Sequence, residues 1–144
     1  MDLNFIVKTD EAASPACQAP SMQLTKTALI IDDSKLNQHM LGNMLQHLDY
    51  KIHLADDGEE GIEKFAEVRP SLTFLDIVMP KKSGLQVLNE IKLRNPKAVV
   101  IMVSSFTSKQ NIHDAKKFGA DWFIKKPLTK EKVEEIIKRI EQKK

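Results

Sequence analysis

The sequence predicts an α/β domain with a doubly wound (βα)5 architecture, in which helices cover both faces of a five-stranded parallel sheet. Between residues 27 and 142, short apolar runs alternate with segments of helical periodicity, a pattern typical of strands and helices in series. Several of these runs are almost unbroken in apolar character, as expected of strands that are buried on both faces. Strand–helix pairs in series connect through right-handed crossovers, so the sheet is expected to be parallel.

The apolar runs set the predicted strands. They lie at 27–32, 51–55, 71–76, 98–104 and 120–125. The first, third and fourth are the nearly unbroken ones, so we expect these three strands to lie between two layers of helices.

Apolar residues that recur every three or four positions set the predicted helices. They lie at 35–48, 58–67, 84–94, 107–118 and 129–142. The first helix has an apolar stripe that consists of Leu36, Met40, Leu41, Met44, Leu45 and Leu48. The last helix repeats this spacing with Val133, Ile136, Ile137 and Ile140. Ser34 and Thr129 stand at the positions expected for the N-caps of these two helices.

Composition places the chain among ordinary globular proteins. Its 144 residues are 42% hydrophobic and 29% charged, which suits one domain. The net charge of +2 is too small to indicate nucleic acid as a direct partner. No apolar run reaches the roughly 18 residues of a membrane span, and no signal peptide is recognisable. Cys17 is the single cysteine, which rules out an intramolecular disulfide, and we expect a cytoplasmic protein.

The first residues differ in character from the rest. Residues 1–24 contain small, polar and proline-punctuated sequence without a usable period, so we expect a flexible N-terminal leader. Residues 25–144 are expected to form the single domain.

Acidic residues follow two of the predicted strands. Asp32 and Asp33 come directly after the first strand core, and Asp76 follows the third. The carboxyl ends of parallel strands share one edge of a sheet, and ligands bind beyond that edge, where the strand order reverses. Three carboxylates at one edge need a counterion, and Mg²⁺ prefers oxygen ligands. The sequence therefore predicts a magnesium site there.

A carboxylate beside a metal can also act as a nucleophile toward phosphorus. The transferred phosphoryl group carries negative charge that cationic and hydrogen-bonding groups must neutralise. Suitable groups stand at two further strand ends, because Ser104 closes the fourth strand and Lys126 follows the fifth.

Taken together, these motifs resemble the receiver (CheY-like) domain of bacterial two-component response regulators, a flavodoxin-like fold. The matching segments read LIIDDS at 29–34, LDIVMP at 75–80, SGL at 83–85, MVSS at 102–105 and KP at 126–127. The resemblance covers about residues 26–142, and the motifs occur in the order and at the strand ends that the family shows.

The resemblance implies a role for each acidic residue. Asp76 would be the phosphoacceptor. Asp33 and Asp76 would bind Mg²⁺ directly, together with the backbone carbonyl of Val78, and Asp32 would act partly through a water on the metal.

It also implies how the phosphoryl group is held and sensed. Ser104 and Lys126 would each contact a phosphoryl oxygen, and Ser104 would move together with Phe123, the switch aromatic of the family. The peptide bond before Pro127 would be cis. Ser105 stands where the family usually has Ala or Gly, and its hydroxyl could alter the lifetime of the acyl phosphate.

The implied function is a signalling switch whose only reactions are phosphotransfer and autodephosphorylation. Its donor would be a sensor histidine kinase or phosphotransfer protein, and a downstream protein would bind the 107–142 surface. A monomer or a phosphorylation-dependent dimer is expected, without a membrane or direct nucleic-acid partner.

Two alternatives remain open at this point. A magnesium-dependent phosphatase of the haloacid dehalogenase type would need an acid at position 78, which is Val78. A flavodoxin-like nucleotide or flavin carrier would need a Gly-rich phosphate loop, and the five glycines do not cluster.

Overall fold

The computed structural model describes residues 26–79, 82–105 and 108–142. The predicted leader at 1–24 and Cys17 lie outside these ranges, so the leader stays a prediction. No helix within them is long and apolar enough to cross a membrane.

Five parallel strands form one sheet, and each strand is followed by a helix. The strands are β1 (Lys26–Ile31), β2 (Tyr50–Ala55), β3 (Leu72–Asp76), β4 (Val100–Ser104) and β5 (Trp122–Lys125). The helices are α1 (Lys35–Gln46), α2 (Gly58–Val68), α3 (Gly84–Arg94), α4 (Lys109–Lys117) and α5 (Lys130–Gln142). The strand order is β2-β1-β3-β4-β5, which confirms the predicted (βα)5 fold.

Apolar side chains alternate between the two faces of the sheet and build a core on each. On one face, residues such as Ile30 and Phe74 pack against α1 and α5, where Leu45 and Ile137 are buried. Leu29, Leu75 and Met102 are among those on the other face, which α2, α3 and α4 cover. Since both faces are dry, the central strands need apolar residues at every position, which is why they read as unbroken runs.

Hydroxyl and carboxylate side chains begin the helices. Ser34 accepts a hydrogen bond from the backbone N–H of Asn37, which confirms the predicted N-cap of α1. The predicted cap Thr129 accepts one from Lys132 at the start of α5. At α3, Ser83 and Gln86 form a reciprocal capping box, in which each side chain accepts from the other's backbone N–H.

The predicted apolar stripe of α1 is confirmed at Leu41, Met44, Leu45 and Leu48, which are buried in the core or packed against it, and is wrong at its first two positions. Leu36 and Met40 are exposed, with relative accessibilities of 69% and 39%. In the first turns of the helix, Gln38 is the buried residue, in line with Leu41 and Leu45. A glutamine faces the interior because it binds backbone oxygens there, a requirement that an apolar periodicity cannot reveal.

Three strands are shorter than predicted. β3 begins at Leu72 instead of 71. β4 begins at Val100 instead of 98, because the N–H of Ala98 closes a turn onto the carbonyl oxygen of Asn95. β5 begins at Trp122 instead of 120, since Ala120 donates its N–H to Ala115 at the end of α4.

Candidate functional site

The candidate site lies where the strand order reverses. From β1 the chain first adds β2 on one side and later adds β3 on the other, so a crevice opens beyond the carboxyl ends of β1 and β3. Asp32 and Asp33 directly follow β1, and Asp76 is the last residue of β3. The reversal therefore brings together residues that are more than 40 positions apart in sequence.

The three carboxylates form a compact cluster. One oxygen from each of Asp32, Asp33 and Asp76 lies within 4.8 Å of the others. Asp32 and Asp76 are buried, whereas Asp33 is exposed at the rim. An all-oxygen donor set that is open to solvent on one side fits a hard divalent cation that keeps some of its waters. The cluster could thus hold Mg²⁺.

Lys126 provides a fixed positive charge in the same crevice. Its Nζ lies 3.5 Å from Oδ2 of Asp32 and 3.5 Å from Oδ2 of Asp76. Its backbone N–H donates to the carbonyl oxygen of Ser104, and the Lys126–Pro127 peptide bond is cis, as the resemblance implied. Lys125, the preceding lysine, is exposed.

In the crevice, burial and the neighbouring charges change the pKa of Asp76. The pKa of its carboxyl is raised from 3.8 to about 6, chiefly by burial and secondly by the neighbouring charge of Asp32. Lys126 and a hydrogen bond from the backbone of Val78 act in the opposite direction. Desolvation dominates because the side chain is almost completely excluded from water. At neutral pH the carboxyl group of Asp76 is therefore mostly ionised.

Asp32 is held by a network that includes a residue missed by the sequence analysis. Its Oδ1 accepts the backbone N–H of Ser34 at 2.9 Å. Gln38 donates its side-chain amide to the carbonyl oxygen of Asp32 at 2.6 Å and to Oδ1 of Asp56 at 2.8 Å. Gln38 thereby ties α1 to the ends of β1 and β2. The available signal was a polar residue in register with Leu41 and Leu45 on the buried face.

The loop after β3 depends on a glycine. The N–H of Gly84 donates to the carbonyl oxygen of Ile77 at 2.8 Å. A Cβ at this position would lie 2.1 Å from the carbonyl oxygen of Asp76 and 2.7 Å from Cα of Ile77. Only glycine therefore allows α3 to start directly against the end of β3.

Ser104 and Phe123 lie on one face of neighbouring strands. In the register of β4 and β5, Met102 pairs with Phe123 and Ser104 pairs with Lys125. Residues two apart share a face, so Phe123 lies diagonally from Ser104 on that face. Ser104 is completely buried, and Phe123 is partly buried. Phe123 thus lies two residues before the carboxyl end of β5.

Val78 lies two residues beyond Asp76. Its side chain is 58% exposed, and its backbone hydrogen-bonds to the Asp76 carboxylate. The aliphatic side chain offers no general acid or base at that position.

Comparison with known proteins identifies extensive similarity. A family model described as the response regulator receiver domain matches residues 28–138. The chemotaxis protein CheY of Listeria monocytogenes is 36% identical over 112 residues, which are 77% of this chain and 94% of that protein. CheY of Thermotoga maritima is 31% identical over 116 residues, which are 80% of this chain and 97% of that protein.

Solved structures show the same similarity. A CheY-like receiver domain protein from Methanospirillum hungatei matches with a TM-score of 0.78 and 28% identity, over 81% of this chain and 93% of that one. The CheX–CheY–BeF3–Mg²⁺ complex from Borrelia burgdorferi matches with a TM-score of 0.77 and 32% identity, over 80% and 88% of the two chains. These matches do not favour the phosphatase alternative.

Proposed function

This chain belongs to the family of response regulator receiver domains of two-component signal transduction, and we propose that Asp76 is the residue on which it accepts a phosphoryl group. The observation that carries this proposal is the position of the Asp76 carboxylate, which lies between two further carboxylates and the Nζ of Lys126. The family acts as a phosphoacceptor switch, and we infer that transfer and hydrolysis of this phosphoryl group are the only reactions of the chain.

The reaction begins at the ionised carboxylate of Asp76. One of its oxygens attacks the phosphorus of a phosphohistidine on a sensor kinase or phosphotransfer protein. A P–O bond forms while the P–N bond breaks, and the departing imidazole keeps the electron pair and takes up a proton from water. The product is an acyl phosphate, which water later hydrolyses to the carboxylate and inorganic phosphate.

Lys126 and Ser104 would stabilise the added charge. Lys126 already lies 3.5 Å from an Asp76 oxygen, so a phosphoryl group on that carboxylate can reach its ammonium group. Ser104 ends the neighbouring strand, and its hydroxyl is a suitable donor to a second phosphoryl oxygen. In phosphoryl transfer, catalysis comes mainly from groups that position the phosphoryl group and stabilise its charge, as these two side chains would.

Mg²⁺ is the metal that we infer for the acidic cluster. Asp33 and Asp76 would hold it directly with the carbonyl oxygen of Val78, and Asp32 would contribute partly through water. When bound, the cation would offset the crowded negative charge and polarise the phosphoryl group. The similar CheY of Borrelia burgdorferi is seen with Mg²⁺, which supports this choice.

The output surface is proposed to lie within 107–142. A cavity of about 180 Å³ lies between α4 and β5, and it is lined by Ile112, Ala115, Lys116, Ala120, Asp121, Trp122 and Phe123. Because Phe123 shares a face with Ser104, movement of Ser104 toward a phosphoryl group would change the space available to the aromatic ring. We infer a cytoplasmic protein partner here, bound by a monomer or a phosphorylation-dependent dimer.

The phosphoacceptor is tested by intact-mass measurement. The protein is incubated with Mg²⁺ and phosphoramidate, and the mass should rise by one phosphoryl group. Asp76→Asn should abolish this gain. Asp49→Asn is the matched control, because Asp49 is exposed and its positive φ of 70° suits asparagine. A mass gain that persists in Asp76→Asn, or rapid turnover of a generic phosphate ester by the parent, would contradict the proposal.

The coupling to the output surface is tested by fluorescence. Trp122 is the single tryptophan and lines the cavity beside Phe123. Phosphorylation should therefore change its emission in the parent and in Asp49→Asn, but not in Asp76→Asn. Unchanged emission in a fully phosphorylated parent would show that this surface does not respond.

A further inference from the structure

A polar cavity lies at the opposite end of the sheet from Asp76. It has a volume of about 350 Å³ and is formed where α2 and α3 end, before β3 and β4 begin. Its lining consists of Phe65, Ala66, Arg69, Pro70, Arg94 and Asn95. Two guanidinium groups and an amide thus share one basin, whose lining includes no acidic side chain. We call it the basic basin.

Arg69 has a backbone conformation that is unusual for residues other than glycine. Arg69 ends α2 in the left-handed conformation, with φ of 53°. Glycine is the usual residue at such a helix end, because a Cβ is disfavoured there. The chain therefore accepts local strain to keep an arginine at the edge of the basic basin, and strain of this kind concentrates at functional positions.

The two arginines keep their charges available. Within the described residues, the side chains of Arg69 and Arg94 form no ion pair and no hydrogen bond. Arg69 and Arg94 lie at the carboxyl ends of α2 and α3. The partial negative charge of a helix carboxyl end stabilises a positive side chain but is too small to neutralise it. The basin is thus a region of positive potential that is already in place before a ligand arrives.

We propose that the basic basin binds a small phosphate-bearing ligand. Two guanidinium forks and an amide together offer more N–H donors than a single carboxylate can accept from, whereas a phosphate has enough terminal oxygens to use them. The volume is that of a small-molecule site. The buried ring of Phe65 forms part of its wall. The site is separate from the acidic cluster, which repels anions and lies at the other end of β3.

The proposal is tested by titration calorimetry with sodium pyrophosphate in magnesium-free buffer. The parent should bind one pyrophosphate, and Arg69→Gln and Arg94→Gln should each weaken it on the order of tenfold or more, since each removes charge-assisted hydrogen bonds. Lys97→Gln is the matched control. It removes one positive charge from an exposed residue at the same end of the sheet that does not line the basin, and its affinity should equal that of the parent.

A second variant separates binding from folding. Arg69→Gly relieves the left-handed strain, so its Tm should rise while its affinity for pyrophosphate falls on the order of tenfold or more, as in Arg69→Gln. The proposal is overturned if the parent binds no pyrophosphate, or if Arg69→Gly and Arg94→Gln bind it as the parent does. Equal affinity for citrate would overturn the assignment to phosphate chemistry, because citrate carries only carboxylates.

Discussion

The surroundings of Asp76 disfavour the ionised form of its carboxyl group. It is buried beside Asp32, so ionisation of its carboxyl is disfavoured, and only Lys126 and a backbone hydrogen bond offset this. The phosphoacceptor role that we propose for Asp76 nevertheless requires an ionised carboxylate close to other charges. The buried charge of Asp76 therefore destabilises the metal-free fold, and its effect on stability can be measured.

Asp76→Asn should stabilise the metal-free protein in a pH-dependent way. The pKa of Asp76 in the folded protein, about 6, lies above its ordinary value of 3.8, so the folded state loses stability as pH rises from about 4 through 6. Above this window the penalty is complete, and the neutral asparagine should gain roughly 2–3 kcal/mol. Below it, the gain should vanish.

Urea unfolding in EDTA at pH 4 and pH 7.5 measures this difference. Asp49→Asn serves as the control at both pH values, because its side chain is exposed at the other end of the sheet. An equal gain for Asp76→Asn at the two pH values would show that the buried charge is not its cause.

Asp33 is the exposed member of the acidic cluster, so its substitution should affect the metal more than the fold. Asp33→Asn should weaken Mg²⁺ binding on the order of tenfold or more, as loss of a metal ligand or its support does. In EDTA its free energy of unfolding should rise slightly, since one of three crowded like charges is removed. Calorimetric titration with MgCl₂ and urea unfolding measure the two effects. Mg²⁺ affinity equal to that of the parent would exclude Asp33 as a ligand.

At the scale of elements, the junction between β3 and α3 positions the site. The first residue of α3 lies against the carbonyl oxygen of Asp76, and the capping box of Ser83 and Gln86 fixes where the helix begins. The start of α3 therefore lies directly against Asp76, and a change at Gly84 should affect Asp76.

Gly84→Ala should destabilise the protein, whereas Gly42→Ala should stabilise it. The added Cβ at Gly84 would lie 2.1 Å from a backbone oxygen that cannot move away easily, and such overpacking costs about 1–3 kcal/mol. At Gly42, inside α1, the nearest atom is a side-chain methyl at 3.8 Å. Alanine there should gain roughly 0.5–1 kcal/mol from helix propensity.

Thermal unfolding of the two variants gives the comparison directly, and phosphorylation by phosphoramidate should be slower in Gly84→Ala alone. Equal stability of the two variants would mean that the junction is less tightly packed than the distances indicate.

The elements also show where periodicity succeeds and where it fails. The stripe of α5 was predicted correctly, since Val133, Ile137 and Ile140 are buried in the core. In α1 the same reasoning selected Leu36 and missed Gln38, because burial there is decided by hydrogen bonds to the ends of two strands. A pattern of apolar residues predicts hydrophobic contacts. It does not predict which polar side chains are buried because they form hydrogen bonds.

For the whole molecule, the acidic cluster joins the carboxyl ends of β1 and β3, two neighbouring strands of the sheet. Mg²⁺ that binds the folded chain and not the unfolded chain stabilises it by mass action, about 1.4 kcal/mol at tenfold excess over Kd. We expect a Tm increase of several degrees with MgCl₂ and a smaller one in Asp33→Asn. Choline chloride at equal ionic strength is the control, and an equal Tm increase with it would indicate that the salt acts by screening alone.

The sequence by itself determined the order of elements, the parallel sheet and the residues at its carboxyl edge. These follow from apolar runs, caps and the chemistry of acids at strand ends, all of which are local. Only the tertiary structure decided that Asp32, Asp33 and Asp76 approach within 4.8 Å, that Lys126 reaches two of them, and that Gln38 and Gly84 hold the crevice in shape. It also decided that Arg69 and Arg94 share a basin. Distances between residues far apart in the chain depend on strand order and on packing across the sheet, and no local pattern encodes them.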